Sequence, residues 1–196
     1  MWSVRRPSLE QIHRRREQQR ELGFSYAAVG ATRDGTIPAG FDRDHNRQPL
    51  GTGAATFAAA RDAIRTWAMF PAPLTEIVPA GIPISEGEVA AVVAHALGLW
   101  WLNAARIVYV IDEPRRFGFA YGTLPGHVER GEERFLVEWL ADDSVWYDLD
   151  AFSRPGYWMV KLARPLARRL QRRFARLSKA AMRDAVLAAR ASSGRR

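Results

Sequence analysis

Four side chains able to move a proton or fix a polar ligand fall within thirteen residues of one another: Tyr121, Thr123, His127 and Glu133. A carboxyl and an imidazole are the commonest general acid–base groups, and a phenol can donate a hydrogen bond to either or to a substrate. Glu133 is the unusual member. Phe135, Val137 and Trp139 follow it at every second position, while Glu132, Arg134, Leu136 and Glu138 make up a mostly polar set. Strand side chains alternate between faces, so the first set points inward and carries Glu133 with it. A carboxylate on an apolar face is costly unless hydrogen-bonded, paired or protonated. Two readings stand side by side: a pocket acid or base, and a strand-end carboxylate solvated close to Gly131. His127, between Gly126 and Gly131, reads either as an exposed loop histidine or as a second group of the same pocket.

These groups need a hairpin to hold them. Phe117, Phe119, Tyr121 and Thr123 alternate with Gly118, Ala120 and Gly122, giving one bulky face and one nearly bare. Pairing Thr123 with Glu133, Tyr121 with Phe135, Phe119 with Val137 and Phe117 with Trp139 puts all eight on one face, which pins a register. The expected lining is therefore Phe119, Tyr121, Thr123, Phe135 and Trp139, with Glu133 and His127 as polar groups. His95, on a segment apolar on both faces, reads as a core histidine or as a further ligand contact. Tyr121, His127 and Glu133 are the candidate catalytic residues.

Around the hairpin the pattern is β. Leu74–Val78 reads as a strand, and Glu88–Leu97 with Trp100–Ile111 as a hairpin about Gly98, with Ile107, Tyr109 and Ile111 inward. Asp142-Asp143 turns the chain into a strand that sets Val145, Tyr147 and Leu149 beside Trp139, Val137 and Phe135. Asp148 and Asp150 then face outward. Phe24–Gly30 suits a short strand, and Ala31–Leu50, rich in Gly, Pro, Asp and Asn, reads as loop with a solvated Arg43/Asp44/His45/Arg47 cluster. A helix follows from about Ala54 to Phe70, with Phe57, Ala60, Ile64, Trp67 and Ala68 as its stripe. The Gly51-Thr52-Gly53 entry invites a phosphate-binding reading. The dinucleotide pattern fails there, because Thr56 stands where a third glycine belongs and no parallel βαβ unit surrounds it.

At the ends, Ser8 with Gln11 three residues on matches a capping box and opens a charged helix to about Leu22, read as an appendage over residues 1–22. Ser153 is expected to cap a long helix from Arg154-Pro155. Its stripe is Trp158, Leu162, Leu166, Leu170, Phe174 and Leu177, its opposite side carries Arg168, Arg172, Arg176 and Lys179, and Pro165 should kink it. The domain proper is placed at 23–182, with a basic extension over 183–196.

Composition narrows the class. The chain of 196 residues, 47% apolar and 26% charged, suits one soluble domain. Without cysteine there is neither a thiolate metal site nor a cysteine nucleophile, and the histidines are too scattered for a zinc spacing; no cofactor or metal is expected. The N-terminal stretch lacks an apolar core after its charges, and the run Val89–Leu102 is too short and interrupted to span a bilayer, so the expectation is cytoplasmic. The net charge of +8 is a property of one end: from Lys161 onward twelve Lys and Arg oppose the single acid Asp184. A helix this basic could meet nucleic acid or an anionic membrane, although no recognisable nucleic-acid motif accompanies it.

The expected class is thus α+β: a curved antiparallel sheet of about six or seven strands wrapped around a long C-terminal helix. The stretches Gly118–His127, Gly131–Phe135 and Phe152–Pro155, with Gln171 in the long helix, Leu50–Gly53 and Trp67, resemble the DUF1990 (UPF0548) family over about residues 22–182. That family is similar to the Bet v 1/START-like helix-grip superfamily, whose members bind hydrophobic ligands or act as small cyclases, dehydratases and hydrolases. The resemblance implies a small hydrophobic or amphipathic molecule held between sheet and helix. Three functions follow as alternatives: ligand binding, acid–base chemistry such as cyclisation, dehydration or isomerisation in the same cavity, and electrostatic association through the arginine-rich helix.

Overall fold

The computed structural model describes residues 2–156 and 164–193. Its elements are β1 (Trp2–Ser3), α1 (Leu9–Gln19), a 3-10 turn (Ala31–Arg33), β2 (Asp42–Thr52), α2 (Gly53–Arg65), β3 (Thr75–Val78), β4 (Val89–Ala96), β5 (Leu99–Glu113), β6 (Arg116–Thr123), β7 (Glu129–Trp139), β8 (Ser144–Pro155) and α3 (Arg164–Ser193). The strands form one antiparallel sheet in the order β2-β8-β7-β6-β5-β4-β3, and β1 pairs with β5 beyond the end of β6. Consecutive hairpins build β3 to β8; β2 arrives from far away in sequence to cover the edge of β8, as the two-residue β1 does to reach β5. The apolar, concave face of the sheet packs on α2 and α3 around a core that includes Phe57, Ile64, Phe119, Phe135, Tyr147 and Met182. This is the α+β helix-grip arrangement expected from the sequence.

The central hairpin keeps its expected faces but not its expected register. Tyr121 pairs with Glu133, Phe119 with Phe135 and Phe117 with Val137, a slip of two residues. An even slip leaves every side chain on its face. It arises because Thr123 lies opposite Gly131: its hydroxyl accepts from the Gly131 N–H at 2.9 Å and donates to the Gly131 carbonyl at 3.2 Å. This closes the ladder two residues nearer the turn. The β7–β8 register matches the expectation, with Val145, Tyr147 and Leu149 opposite Trp139, Val137 and Phe135.

Four expectations need correction. Residues Asp42–Thr52 are a strand rather than a loop. Arg43, His45 and Arg47 point to the convex face and reach Asp150 and Asp148 on β8, at 2.8 to 3.1 Å, so the charged cluster is built into the sheet. Second, a bulge at Val108 between Ile107 and Tyr109 turns Tyr109 and Ile111 to the convex side, leaving Ile107 inward. Third, Ser153, Arg154 and Pro155 do not start a helix. β7 begins at Glu129 and offers them partners, so β8 runs on through Pro155. The described part of α3 runs from Arg164 to Ser193 and includes Pro165. Trp158 and Leu162 of the expected stripe lie outside the described residues. Fourth, Phe24–Gly30 is not a strand but an irregular segment laid across the convex face.

That segment explains the bare face of β6. A Cβ on Gly122 would lie 2.2 Å from the Tyr26 hydroxyl, so the small residue makes room for the crossing chain. The crossing chain is held by Glu132, 2% exposed. Its carboxylate accepts from the Tyr26 hydroxyl at 2.6 Å, from Gly30 N at 2.7 Å, from Thr32 N at 3.0 Å and from the Thr32 hydroxyl. Further along the same face, α1 starts with the expected Ser8–Gln11 capping box and buries Ile12 among Val78, Ala91, Val93 and Leu102. Hydrogen bonds to a charged acceptor contribute about 1.5–3 kcal/mol each, and a donor left buried and unpaired costs comparably. Glu132→Gln, which turns one acceptor oxygen into a donor facing donors, should lower unfolding free energy by about 2–4 kcal/mol in urea titration. A loss below about 1 kcal/mol would show that the segment is held by something else.

Candidate functional site

The strand period decides which polar groups reach the concave face. On β7 that face carries Glu129, Gly131 and Glu133 before the apolar run, and on β8 it carries Ser153 and Ala151 opposite them. On β2 it carries Asp42, Asp44 and Asn46, because these pair with Ser153, Ala151 and Leu149. One end of the concave face is therefore acidic and amide-rich, and the other is filled with rings. The stretch of α3 from Arg168 to Lys179 lies over the acidic end and supplies Arg168, Gln171 and Lys179.

Glu133 and Tyr121 are brought together: the phenol donates to the carboxylate at 2.7 Å. Glu133 remains partly accessible, whereas Tyr121 is 8% exposed. Burial pushes the Glu133 carboxyl up to about 7; the Tyr121 hydrogen bond opposes this, and the negative charges of Glu129 and Asp44 add to it. Burial and the neighbouring carboxylate also push the Tyr121 phenol far up, so it stays protonated and acts as a donor. Glu129 is raised by burial as well, and is stabilised as an anion by Gln171 and Ser153. The Gln171 amide donates to Glu129 at 2.6 Å and to Ser153 Oγ at 3.1 Å. Asp44 accepts from Asn46, which in turn accepts from Lys179 at 3.2 Å, and Arg168 pairs with Asp42 at 3.2 Å. Deeper in, Tyr147 meets Ser178 of α3 at 2.9 Å.

The apolar wall beside the dyad is continuous. Phe135 lies 5.3 Å from the rings of both Phe119 and Tyr121, and Phe70 stands 5.4 Å from Phe135 and 5.6 Å from Phe174 of α3. Phe119, Tyr121, Phe135 and Glu133 thus form one contiguous surface. Thr123 belongs to its edge, with its hydroxyl committed to Gly131 and Ser25. Such a wall with a few convergent polar groups has the make-up of a small-molecule site.

Three expected members stand elsewhere. Trp139 is at the opposite end of the sheet, 6.1 Å from Phe57 of α2, with its indole N–H on Asp143. His95 is exposed on the convex side and stacks on Trp100 at 4.4 Å. It is neither a core histidine nor a contact of this site. His127 lies in the β6–β7 connection, where Nδ1 accepts the Glu129 N–H at 3.0 Å. Burial lowers its pKa to about 4, so it is neutral with its proton on Nε2. Its Nδ1 lone pair is engaged, which leaves it a donor rather than the base at neutral pH. Glu129, Asp44, Ser153 and the Gln171–Glu129 bond escaped the sequence reading of the pocket. Glu129 shares Glu133's parity and was hidden only by Gly131, which reads as a strand end. Among the described residues no group of three or more His, Asp or Glu is disposed to hold a metal ion.

A separate groove of about 830 Å3 opens between Leu97, at the β4–β5 turn, and the side of α3 that carries Arg169, Leu170, Arg172, Arg173 and Arg176. Neither Glu133 nor Tyr121 lines it.

Residues 25–181 match the Domain of unknown function DUF1990. A UPF0548 protein of Deinococcus radiodurans is 38% identical, over 90% of this chain and 94% of its own length. A UPF0548 protein of Dictyostelium discoideum is 33% identical, over 89% of this chain and 90% of its own. Among solved structures, the di-domain ARO/CYC BexL of the BE-7585A biosynthetic pathway aligns with TM-score 0.50 at 13% identity, over 76% of this chain and 51% of that one. That likeness concerns the fold alone. With the match running from the crossing segment through β8 and most of α3, and with two relatives above 30% identity along nearly their whole length, the chain belongs to the DUF1990 (UPF0548) family.

Proposed function

We propose that this protein binds a small, largely apolar molecule between the concave face of the sheet and α3, with the Glu133–Tyr121 pair as its polar anchor. The observation that carries this is the carboxyl of Glu133, set in a wall of aromatic rings, hydrogen-bonded to one neutral partner and pushed up to about 7. A purely structural carboxylate would be matched by a cation or by several donors, as Glu132 is. Glu133 is left with unused hydrogen-bonding capacity facing an apolar surface, which suits a ligand carrying one hydroxyl, carbonyl or amine on a hydrophobic body. Entry is by the acidic end. There α3 is tied down by Arg168–Asp42, Gln171–Glu129 and Lys179–Asn46, polar contacts near the surface that separate at low cost. Its C-terminal half, with Met182 and Val186 fully buried, stays in place.

A second reading rests on the same carboxyl. An acid–base group is most effective when its pKa lies near the working pH, and about 7 meets that condition. Glu133 would take or give a proton while the Tyr121 hydroxyl holds an oxygen of the substrate, as in a cyclisation, dehydration or isomerisation. His127, with Nδ1 engaged, contributes at most a hydrogen bond from Nε2.

Two measurements test this. The folded carboxyl, at about 7, lies above its ordinary value of 4.5. The folded state therefore holds the proton more tightly than the unfolded chain between those values. The stabilising contribution is complete below pH 4.5 and is lost as pH rises through 7. Glu133→Gln, which cannot ionise, should be more stable than the parent at pH 8 by about 2–3 kcal/mol, with the difference falling below about 1 kcal/mol at pH 5 and vanishing at lower pH. Tyr121→Phe should move the carboxyl resonance midpoint still higher, since the phenol favours the ionised form. A flat stability difference across that range would place Glu133 in water. The second measurement is native mass spectrometry with organic extraction of protein purified from cells. A bound small molecule should be present in the parent and reduced in Glu133→Gln. If an extract converted by the parent were converted equally by Glu133→Gln, the acid–base reading would fail while binding could stand.

A further inference from the structure

The groove beside Leu97 carries an inference independent of the Glu133 site. Arg169, Arg172, Arg173 and Arg176 follow at i, i+3, i+4 and i+7, so one side of α3 is a stripe of four guanidinium groups, all exposed. Like charges at these spacings repel and weaken a helix. Several arginines elsewhere are answered by acids, Arg6 by Glu76, Arg16 by Glu88, Arg43 by Asp150 and Arg134 by Asp148, while Arg15, Arg106 and Arg115 bond backbone carbonyls instead. Arg168, one turn before Arg172 on the adjoining flank of the helix, has Asp42. Among the described residues none of the four stripe arginines has a carboxylate within ion-pair distance. Charge complementarity therefore points to an anion from outside the chain.

Across the groove the second wall is apolar and unexpectedly so. Leu97 and Gly98 form a two-residue β-turn with φ of 57° and 73°, the conformation that favours Asn-Gly. A leucine is disfavoured there, yet it is 59% exposed and faces no core. Neither folding nor solubility accounts for an apolar residue in a left-handed turn open to water. Its position accounts for it, since it stands across the groove from the guanidinium stripe, and Leu170 of α3 adds a second apolar side chain to the lining. At about 830 Å3 the groove has the size of a small-molecule site.

We propose that this groove binds an amphiphile with a multiply charged oxyanion head, a phosphate monoester being the simplest, held by forked hydrogen bonds from the arginines with its apolar part against Leu97 and Leu170. The same head could be offered by a soluble molecule or by a lipid in a bilayer, and the groove is assigned to the soluble molecule.

The probe is n-octyl phosphate below its micellar concentration, titrated calorimetrically into the full chain. Uptake should be saturable at one molecule per chain, weaken as salt rises, and exceed that of inorganic phosphate by about tenfold or more. The Arg172→Gln/Arg173→Gln double variant, checked for native circular dichroism, should bind about tenfold or more weakly. Leu97→Asn is the variant that protects the test from misfolding. Asn suits the left-handed turn, so it should unfold at no lower temperature than the parent and still bind about threefold more weakly. The proposal is overturned by absence of saturable uptake, by undiminished affinity in the double-arginine variant, or by binding confined to phosphatidylcholine vesicles containing phosphatidic acid. That last result would make the arginine stripe a membrane contact instead of a pocket. None of these outcomes bears on Glu133.

Discussion

A β-strand sends consecutive side chains to opposite faces, and on β7 this places two adjacent carboxylates in opposite circumstances. Glu132 is turned to the convex face, where four donors from one short crossing segment converge on it. Glu133 is turned to the concave face, where the Tyr121 hydroxyl is its hydrogen-bond partner and aromatic rings flank it. Neither situation can be changed without the other, because a one-residue slip in β7 would exchange them. The fully satisfied carboxylate thus fixes the register that exposes the unsatisfied one. The four donors around Glu132 and the aromatic surroundings of Glu133 are two consequences of one strand phase.

The convex face extends this logic across three strands. Asp148 and Asp150, 4% and 1% exposed, lie beneath Arg43, His45, Arg47 and Arg134. Buried ion pairs rarely add net stability over apolar packing, because desolvation offsets most of the attraction. Their value here is positional. Mismatched charges are heavily penalised, so β2 has one acceptable register against β8. That register delivers Asp42, Asp44 and Asn46 to the concave face beside Glu129 and Glu133. The acidic end of the concave face is therefore set by pairing on the far side of the sheet.

How much of this could be read from the sequence depended on which property alternated. In β6, β7 and β8 the alternation is one of hydrophobicity, and faces, core residues and the position of Glu133 were legible. In Asp42-Arg43-Asp44-His45-Asn46-Arg47 the alternation is between acidic or amide residues and basic ones. A period in charge is invisible to a search for apolar faces, so the strand looked like loop. The bulge at Val108 inverted Tyr109 and Ile111 without any glycine or proline to announce it. Ser153-Arg154-Pro155 has the local chemistry of a helix entry, and pairing with the start of β7, the other arm of the same hairpin, overrides it. Propensity there is a contest between short-range capping and long-range pairing, and β7 won. His95 and Trp139 were drawn into the pocket by residue type, but ligand contact requires the right end of the right face, which residue type does not encode.

The basic charge of α3 is sorted by direction in the same way. Arg168 and Lys179 turn toward β2 and find Asp42 and Asn46, so part of the helix's charge is spent in gripping the sheet at the acidic end. Arg172 and Arg176, one and two turns beyond Arg168, and Arg169 and Arg173 beside them meet no acid among the described residues. A helix serving only to close a core would gain from placing glutamates at i+4 along that stripe, relieving repulsion and keeping solubility. The chain's own N-terminal helix does this with Glu10 and Arg14. The contrast is one of degree: in α1 Arg14 and Arg16 have Glu10 and Glu88 while Arg15 bonds the Pro125 carbonyl, whereas the four stripe arginines of α3 meet no acid among the described residues. It separates charge that holds the fold from charge left available to a partner, and it locates the available charge on the one side of α3 that also faces an exposed leucine.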